Sequence, residues 1–406
     1  MNTPKVTIVG AGIGGLTAAI ALRTKGIDVE VYEAQAQRRP TGTGLGLASN
    51  ATKVLRSLGI DLTTGDYGRV LECFELRTAR GKLIRSLPVS SMTAELGDPV
   101  VSIHRNDLMR TLQAAAADPP VRYGAEVVKV EIGDGGVRAT CTDGRVIDAN
   151  LLIGADGIRS IVRATLCGES QPTEYGYVCS LATTPFSHPQ MVRGYCGHYW
   201  GRGQRFGLID IGGGNAYWWA TKNMPAARAH EWRGGKWEIL ASFEGWAPEV
   251  VAVIERTPTH EIVSVPAQDR PFLNRWGNGP ITLIGDAAHP MLTSIGQGAS
   301  SAIEDGYVLA EALAAVPDPV AALRHYEDTR RARTRMLVRT SRRLSRLEQV
   351  ESPVLRAVRN IGARGVPTRI LKRRIIRPMQ FDLGCPDDPR RTVELDHRPD
   401  FACPRR

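Results

Sequence analysis

Lys5-Val-Thr-Ile-Val9 runs directly into Gly10-Ala-Gly12-Ile-Gly14-Gly15, and this stretch decides the fold. The first five residues form a β-branched, apolar run of the kind found in a buried parallel strand. The next six are a G-x-G-x-x-G turn. Leu16, Ile20 and Leu22 then recur at helical spacing, and Lys25-Gly26 closes the helix. A second strand, Val29-Glu-Val-Tyr-Glu33, ends in an acid, with Ala34 after it. Gly10 permits the tight turn. Gly12 has no Cβ, so the backbone can approach a pyrophosphate, and Gly15 allows the helix to pack close to the strand. The helix start offers unpaired N–H groups and a positive dipole end to phosphates. Glu33 stands where a carboxylate accepts a hydrogen bond from a ribose hydroxyl. Strand, glycines, helix, strand and terminal acid, in that order, predict a dinucleotide-binding βαβ unit.

The surrounding composition suits a soluble globular protein. The chain has 406 residues, 42% hydrophobic and 23% charged. One core rarely organises that much chain, so two interleaved domains or a large α/β domain with an appended part are expected. No apolar run approaches the ~20 residues that span a bilayer. The first residues enter a strand without the pattern of a secretory signal. The cysteines at 73, 141, 167, 179, 196, 385 and 403 are odd in number, widely spaced and free of C-x-x-C. They read as reduced thiols of a cytoplasmic protein. The histidines are scattered, and no metal site is expected.

Charge is unevenly placed. The net charge is +10, yet residues 330–378 alone carry +14, leaving the rest of the chain at −4. Leu337, Leu344 and Leu347 recur there at helical spacing, with Arg335, Arg339, Arg342, Arg343 and Arg346 mostly on the other side. Pro353 should end that helix, and a second amphipathic stretch follows at 370–376. An arginine-rich solvated face is the plain reading. Contact with an anionic membrane through the Arg335–Arg346 face, or with an acidic partner, is the sharper one. No nucleic-acid-binding motif accompanies the charge.

Two later motifs decide which dinucleotide is bound. Leu151-Leu-Ile-Gly-Ala-Asp156-Gly157 is an apolar strand ending in an Asp-Gly turn. Pro280-Ile-Thr-Leu-Ile-Gly285-Asp286-Ala-Ala-His289-Pro290 is a second, followed by the glycine loop Gly296-Gln-Gly298-Ala299 opening a helix. Either aspartate alone reads as an ordinary turn cap. All three motifs in this order resemble the single-component FAD-dependent aromatic hydroxylases, the para-hydroxybenzoate hydroxylase-like flavoprotein monooxygenases. The shorter salicylate, hydroxybenzoate and urate hydroxylases are the nearest impression. The resemblance covers roughly residues 4–330.

That resemblance implies roles position by position. The acid matching Glu33 binds the adenosine ribose. The arginine of His104-Arg105-Asn-Asp-Leu108 lies along the phosphate–ribityl region, and the valine matching Val127 sits near the adenine. Asp156 supports the pyrophosphate region and is linked to NAD(P)H binding. Asp286 contacts the ribityl chain and phosphates. Gly296, Gly298 and Ala299 face the isoalloxazine ring, where helix N–H groups would stabilise a reduced flavin. NADH or NADPH is the implied co-substrate, without a dinucleotide fold of its own.

The expected fold is α/β: a Rossmann-like FAD-binding domain with an interleaved antiparallel-sheet substrate domain and C-terminal helices. Residues 1–72, 101–170 and 281–330 are assigned to the first, 73–100 and 171–280 to the second. Residues 331–380 form the basic helices and 381–406 a loosely ordered tail. The strand-like runs at 206–211 and 217–221 belong to the substrate sheet, with helices near 225–255. Arg205 and Tyr217 sit about where family members carry an arginine and a tyrosine that bind or deprotonate substrate. They are the catalytic candidates, and His198 is a weaker one. Tyr217 and Trp219 share a strand face. The resemblance departs at Thr293, where the family has a proline. The usual phenol-deprotonation relay is therefore not carried over, which leaves room for a bulkier or less acidic substrate.

The implied function is hydroxylation of a phenol-like or heteroaromatic small molecule with NAD(P)H and O2, through a flavin C4a-hydroperoxide. Epoxidation of an alkene in a lipophilic molecule, and a flavin-binding protein without turnover, are the alternatives.

Overall fold

The computed structural model describes residues 5–37, 43–64, 68–118, 121–133, 135–232 and 234–384. Four strands build a wholly parallel sheet in the order Ile281–Leu283, Leu151–Gly154, Val6–Val9 and Val29–Tyr32. All four residues of Val6–Val9 are buried, as are all four of Leu151–Gly154. Apolar side chains on both faces suit a sheet covered on both sides. The helix Ile13–Thr24 covers one face and crosses the helix Gly298–Ala315 at a glycine contact. A Cβ at Gly306 would lie 2.7 Å from Ala18 N, so only glycine lets the two backbones approach this closely.

A seven-stranded sheet stands beside this unit. Its order is Val263–Asp269, Thr173–Pro185, Asn215–Asn223, Gln204–Asp210, Tyr195–Trp200, Cys73–Thr78 and Leu83–Leu87. The expected antiparallel sheet is mixed at one junction: Tyr195–Trp200 runs parallel to Cys73–Thr78. Parallel neighbours require a long crossover, which the intervening chain supplies. One face packs Phe206, Leu208 and Trp218 onto Phe243, Val250, Val253 and Ile254 of the helices that follow. The other face, carrying Tyr217, Trp219, His198 and Arg205, turns toward the parallel sheet. Period-two alternation along each strand sorts the residues between the faces.

Two smaller sheets complete the fold. Val101–His104 is flanked antiparallel by Gly44–Leu47 and Gly68–Val70, and Gly136–Cys141 by Val127–Gly133 and Val146–Ala149.

The basic region folds as Pro319–Glu348, Pro353–Gly365 and Thr368–Ile376. Pro353 begins a helix rather than merely ending one, at a first-turn position where its missing N–H costs nothing. Two of the arginines read as a free face are tied to the body: Arg342 pairs with Asp269 at 2.6 Å, and Arg335 donates to Asn274 Oδ1 at 2.6 Å. Arg339, Arg343 and Arg346 remain exposed. Residues 381–384, expected in a loose tail, are anchored. The Phe381 ring lies below the guanidinium groups of Arg330 and Arg333, and its carbonyl accepts from Lys53 Nζ. Residues 385–406 lie outside the described residues.

Candidate active site

The parallel sheet ends in three turns that share one edge. At the first, Gly10 adopts a φ of +106°, and a Cβ there would meet Ala155 O at 2.5 Å. A Cβ at Gly15 would fall 2.0 Å from Gly10 O, which is the close helix–strand contact expected of it. Gly14 turns instead toward Ala302, its Cβ position 3.1 Å from that methyl. A Cβ at Gly12 would meet nothing within 4 Å among the described residues. The helix Ile13–Thr24 has no capping side chain and no acid in its first turn, so its first N–H groups face this open space.

Glu33 lies at the edge of this space. Its Oε2 accepts from Ala11 N at 2.8 Å and its Oε1 from Gln35 N at 3.0 Å, so the carboxylate braces the glycine turn from the second strand. Ala34 is exposed beside it. Val127 is buried, two residues beyond Ala125, whose N–H donates to Glu33 O at 2.8 Å.

Asp156 shapes the second turn. Its carboxylate accepts from Ser160 Oγ at 2.5 Å and from Ile161 N and Val162 N at 2.8 and 3.2 Å, capping the helix Ile161–Cys167. Both oxygens are thereby engaged within the turn, which is the turn-cap reading of this residue. Burial pushes its carboxyl above the ordinary value, against these hydrogen bonds. Arg163 in the same helix was not legible as a functional residue. It donates to Ala287 O and Ala288 O at 3.0 and 3.1 Å and to Pro271 O at 2.7 Å, clamping the second turn to the third.

At the third turn Gly285 has a φ of +57°, and Asp286 is reached by solvent although protein crowds it. That crowding raises its carboxyl, opposed by His289 and Arg105, with Asp305 adding to the rise. Arg105 is exposed at the start of the helix Arg105–Ala115, and its charge reaches both Asp286 and Tyr217. Beneath the turn lies a buried network. Asp305 accepts from Gly285 N at 2.8 Å and Arg330 Nε at 2.7 Å, and shares a 2.6 Å hydrogen bond with His289 Nε2. Burial alone would raise the Asp305 carboxyl, but these partners hold it down at about 2. Glu304 joins Arg330, Arg333 and Asn50, and Asn50 Nδ2 reaches Gln297 Oε1 at 2.9 Å.

Gly296, with a φ of +63°, is exposed, and Gln297 starts the helix Gly298–Ala315 without a side-chain cap or an acid in the first turn. Gly298 has nothing within 4 Å of its Cβ position among the described residues, and Ala299 is partly exposed next to it. An 18-residue helix thus points free N–H groups into a crevice. Gln297 Nε2 and Asn50 Oδ1 are buried beside it with no protein partner among the described residues.

The large sheet closes the other side of the crevice. Tyr217 packs on Gly44, where a Cβ would lie 2.6 Å from its ring. Trp219 lies across Gly207, where a Cβ would come within 1.9 Å of the indole. His198 stands 4.7 Å from the Phe74 ring and 5.0 Å from Trp219. Burial, reinforced by the Arg205 charge, lowers its imidazole to about 3, so this ring is neutral. Burial holds the Tyr217 phenol well above its ordinary value, with Arg205 and Arg105 opposing. At neutral pH it is a donor and an apolar wall, not a base. Arg205 is buried: Nη1 donates to Glu348 Oε2 at 2.6 Å and Nη2 to Thr293 Oγ1 at 3.1 Å. Glu348, at the end of the helix Pro319–Glu348, had no sequence signal beyond being one of two acids in a cationic segment.

These features fit FAD. The open cradle beside Gly12 suits a pyrophosphate, and the Glu33 carboxylate at its edge suits a ribose hydroxyl. The uncapped Gly298 helix and the unsatisfied Gln297 and Asn50 atoms suit the polar edge of a flavin. Similarity to known proteins points the same way. The family described as "FAD binding domain" matches residues 3–341. The aurachin C monooxygenase/isomerase of Stigmatella aurantiaca is 35% identical over 93% of this chain and 98% of its own. The 3-amino-4-hydroxybenzoate 2-monooxygenase of Streptomyces cremeus is 33% identical over 84% and 86%. The structure of Klebsiella pneumoniae HpxO complexed with FAD and uric acid superposes with a TM-score of 0.86 at 27% identity, over 93% of this chain and 96% of that one.

Proposed function

Because the chain belongs to the FAD binding domain family and is an FAD-dependent monooxygenase, we propose that it hydroxylates an electron-rich aromatic or heteroaromatic ring with NAD(P)H and O2. The overall change is substrate C–H, O2, NAD(P)H and a proton giving substrate C–OH, NAD(P)+ and water. The observation that carries this reading is the crevice itself. It sets the free N–H groups of the Gly298 helix against a wall of Phe74, His198, Tyr217 and Trp219, with one buried cation, Arg205, at the rim.

The chemistry that FAD supplies when bound is to pass electrons from NAD(P)H to O2 and deliver one oxygen atom. The Gly10–Gly15 turn and the Ile13 helix would hold its pyrophosphate, Glu33 its ribose, and the Gly298 helix N–H groups would stabilise negative charge at the flavin edge. Arg105 and Asp286 lie between these two ends. The aromatic wall orients a flat ring and excludes water. Arg205, held by Glu348 and Thr293, donates to an oxygen or nitrogen substituent of the substrate, and Tyr217 donates beside it.

The test is a panel of phenols, hydroxypyridines, quinolines and purines, run beside an isoprenoid alkene panel under labelled O2. NAD(P)H oxidation stimulated by ring compounds, with one labelled oxygen on the ring, is expected. Stimulation and oxygenation of alkenes alone would overturn the aromatic reading in favour of epoxidation.

A further inference from the structure

The helix Pro353–Gly365 is turned the wrong way round for a surface helix. Val354, Leu355, Val358 and Ile361 are 68, 56, 61 and 67% exposed. At 3.6 residues per turn, Val354, Val358 and Ile361 fall within ~60° of one another, with Leu355 beside them. The opposite side carries Arg356, Arg359 and Asn360. Arg359 is buried, stacks 4.8 Å over Trp200 and donates to Leu347 O and Glu348 O at 3.4 and 3.3 Å. Arg85 Nη1 holds the other end, donating to Arg364 O and Val366 O at 2.7 Å. Arg359 is therefore locked inward with Arg356 half-buried beside it, and the aliphatic stripe is presented to solvent.

The helix that follows supplies the second half of a surface. In Thr368–Ile376 and just beyond, Arg369, Arg373, Arg374 and Arg377 are exposed around the 46%-exposed Ile370, and none makes an ion pair among the described residues. Lys372 is engaged by Glu95 at 2.8 Å. Residues 353–379 contain eight Lys and Arg and no acid.

We propose that these two helices dock the protein on an anionic lipid bilayer, with the Val354–Ile361 stripe entering the headgroup boundary and the exposed arginines meeting the lipid phosphates. An aliphatic stripe of this size is not left to water without a partner, and apolar residues beside free cations match an interfacial helix. A second copy of the chain is disfavoured, because a two-fold contact would set one acid-free cationic segment against another. No helix among the described residues is long and apolar enough to cross a membrane, so the contact is peripheral. The docking helices are these two, rather than the Arg335–Arg346 face.

Vesicle flotation of the full-length, FAD-loaded protein tests this. Vesicles of phosphatidylcholine with about one-third phosphatidylglycerol should carry the protein at least ~10-fold better than phosphatidylcholine alone, and raised salt should release it. The triple substitution Val354→Ala, Val358→Ala, Ile361→Ala changes only exposed side chains and should cut binding ~10-fold with FAD absorbance and melting temperature unchanged. Arg373→Gln with Arg374→Gln should remove much of the salt-sensitive part. Equal partitioning on both vesicles, no flotation, or an unaffected triple variant would overturn the proposal. So would a dimer seen by light scattering and abolished by the same triple substitution, which would give the stripe to a second copy.

Discussion

Arg205 and Thr293 meet across the crevice, the guanidinium Nη2 on the large sheet donating to the hydroxyl of the loop residue at 3.1 Å. The resemblance to the aromatic hydroxylases implies a proline at the position of Thr293, and proline has no side-chain acceptor. Here the departure aims a buried cation at the rim of the substrate wall. Thr293→Val keeps the shape and removes the acceptor. A hydrogen bond to a charged group contributes about 1.5–3 kcal/mol, so KM should rise about tenfold or more, with more H2O2 released per NAD(P)H. Steady-state kinetics with a peroxide assay checks this. An unchanged KM and coupling ratio would mean that Arg205 does not address the substrate.

Glu348 supplies the countercharge to Arg205, at 2.6 Å and with both side chains at most 3% exposed. Removing one partner of such a pair leaves an uncompensated buried charge, costing about 3–5 kcal/mol. Glu348→Gln should therefore lower the melting temperature clearly. The double variant Arg205→Met, Glu348→Leu should recover much of the stability while activity stays lost. Calorimetry on the three proteins separates the two roles.

The glycine turn can be tested one residue at a time. Gly12 has open space and an extended backbone that alanine adopts freely, whereas a Cβ at Gly15 collides with Gly10 O. Gly12→Ala should fold normally yet bind FAD at least about tenfold more weakly, some 1.4 kcal/mol. Gly15→Ala should lower the melting temperature of the flavin-free protein itself. Fluorescence titration with FAD and thermal melts of the stripped proteins distinguish these outcomes. Normal FAD affinity in Gly12→Ala would place the pyrophosphate elsewhere.

Tyr217 is held protonated by burial, so its contribution is one donor and a ring face. Tyr217→Phe should lower kcat/KM by about 2–12-fold, the range of one net hydrogen bond. It should leave the pH profile unchanged in shape. Loss of a basic limb from the profile would show that the phenol acts as a base after all.

His198 makes stability depend on pH. Its folded value is about 3 against an ordinary 6.5. The unfolded chain therefore takes up a proton first as pH falls. The stabilisation is complete above pH 6.5 and is lost progressively from there toward pH 3. The melting temperature should fall over that window, and His198→Gln should fall less steeply. Parallel slopes for the two proteins would remove His198 from the acid response.

Legibility in the sequence followed the range of the interaction. The βαβ unit was readable because its strand, glycines, helix and acid lie within thirty consecutive residues, each with a local backbone reason. The Gly285-Asp286 turn was readable for the same reason. Asp156 shows the limit of such reading: the motif announces an acid after a strand, and only the tertiary structure shows one oxygen taken up by Ser160 Oγ and the other by the first N–H groups of the helix Ile161–Cys167. Glu348 lies 143 positions from Arg205, and nothing local marks it as a partner. Arg163, His289, Asp305 and Arg330 are likewise joined only through space.

The amino-acid order alone determined the dinucleotide-binding architecture and the flavoprotein family, because turn chemistry and period-two or 3.6 patterning are properties of short segments. Tertiary structure decided which charges are neutralised and which are free. It buried Arg205 and Arg330 against acids, paired the half-buried Arg342 with Asp269, and left the stripe of Pro353–Gly365 facing outward. Burial and pairing depend on what the rest of the chain brings alongside, and no periodicity within a single helix records that.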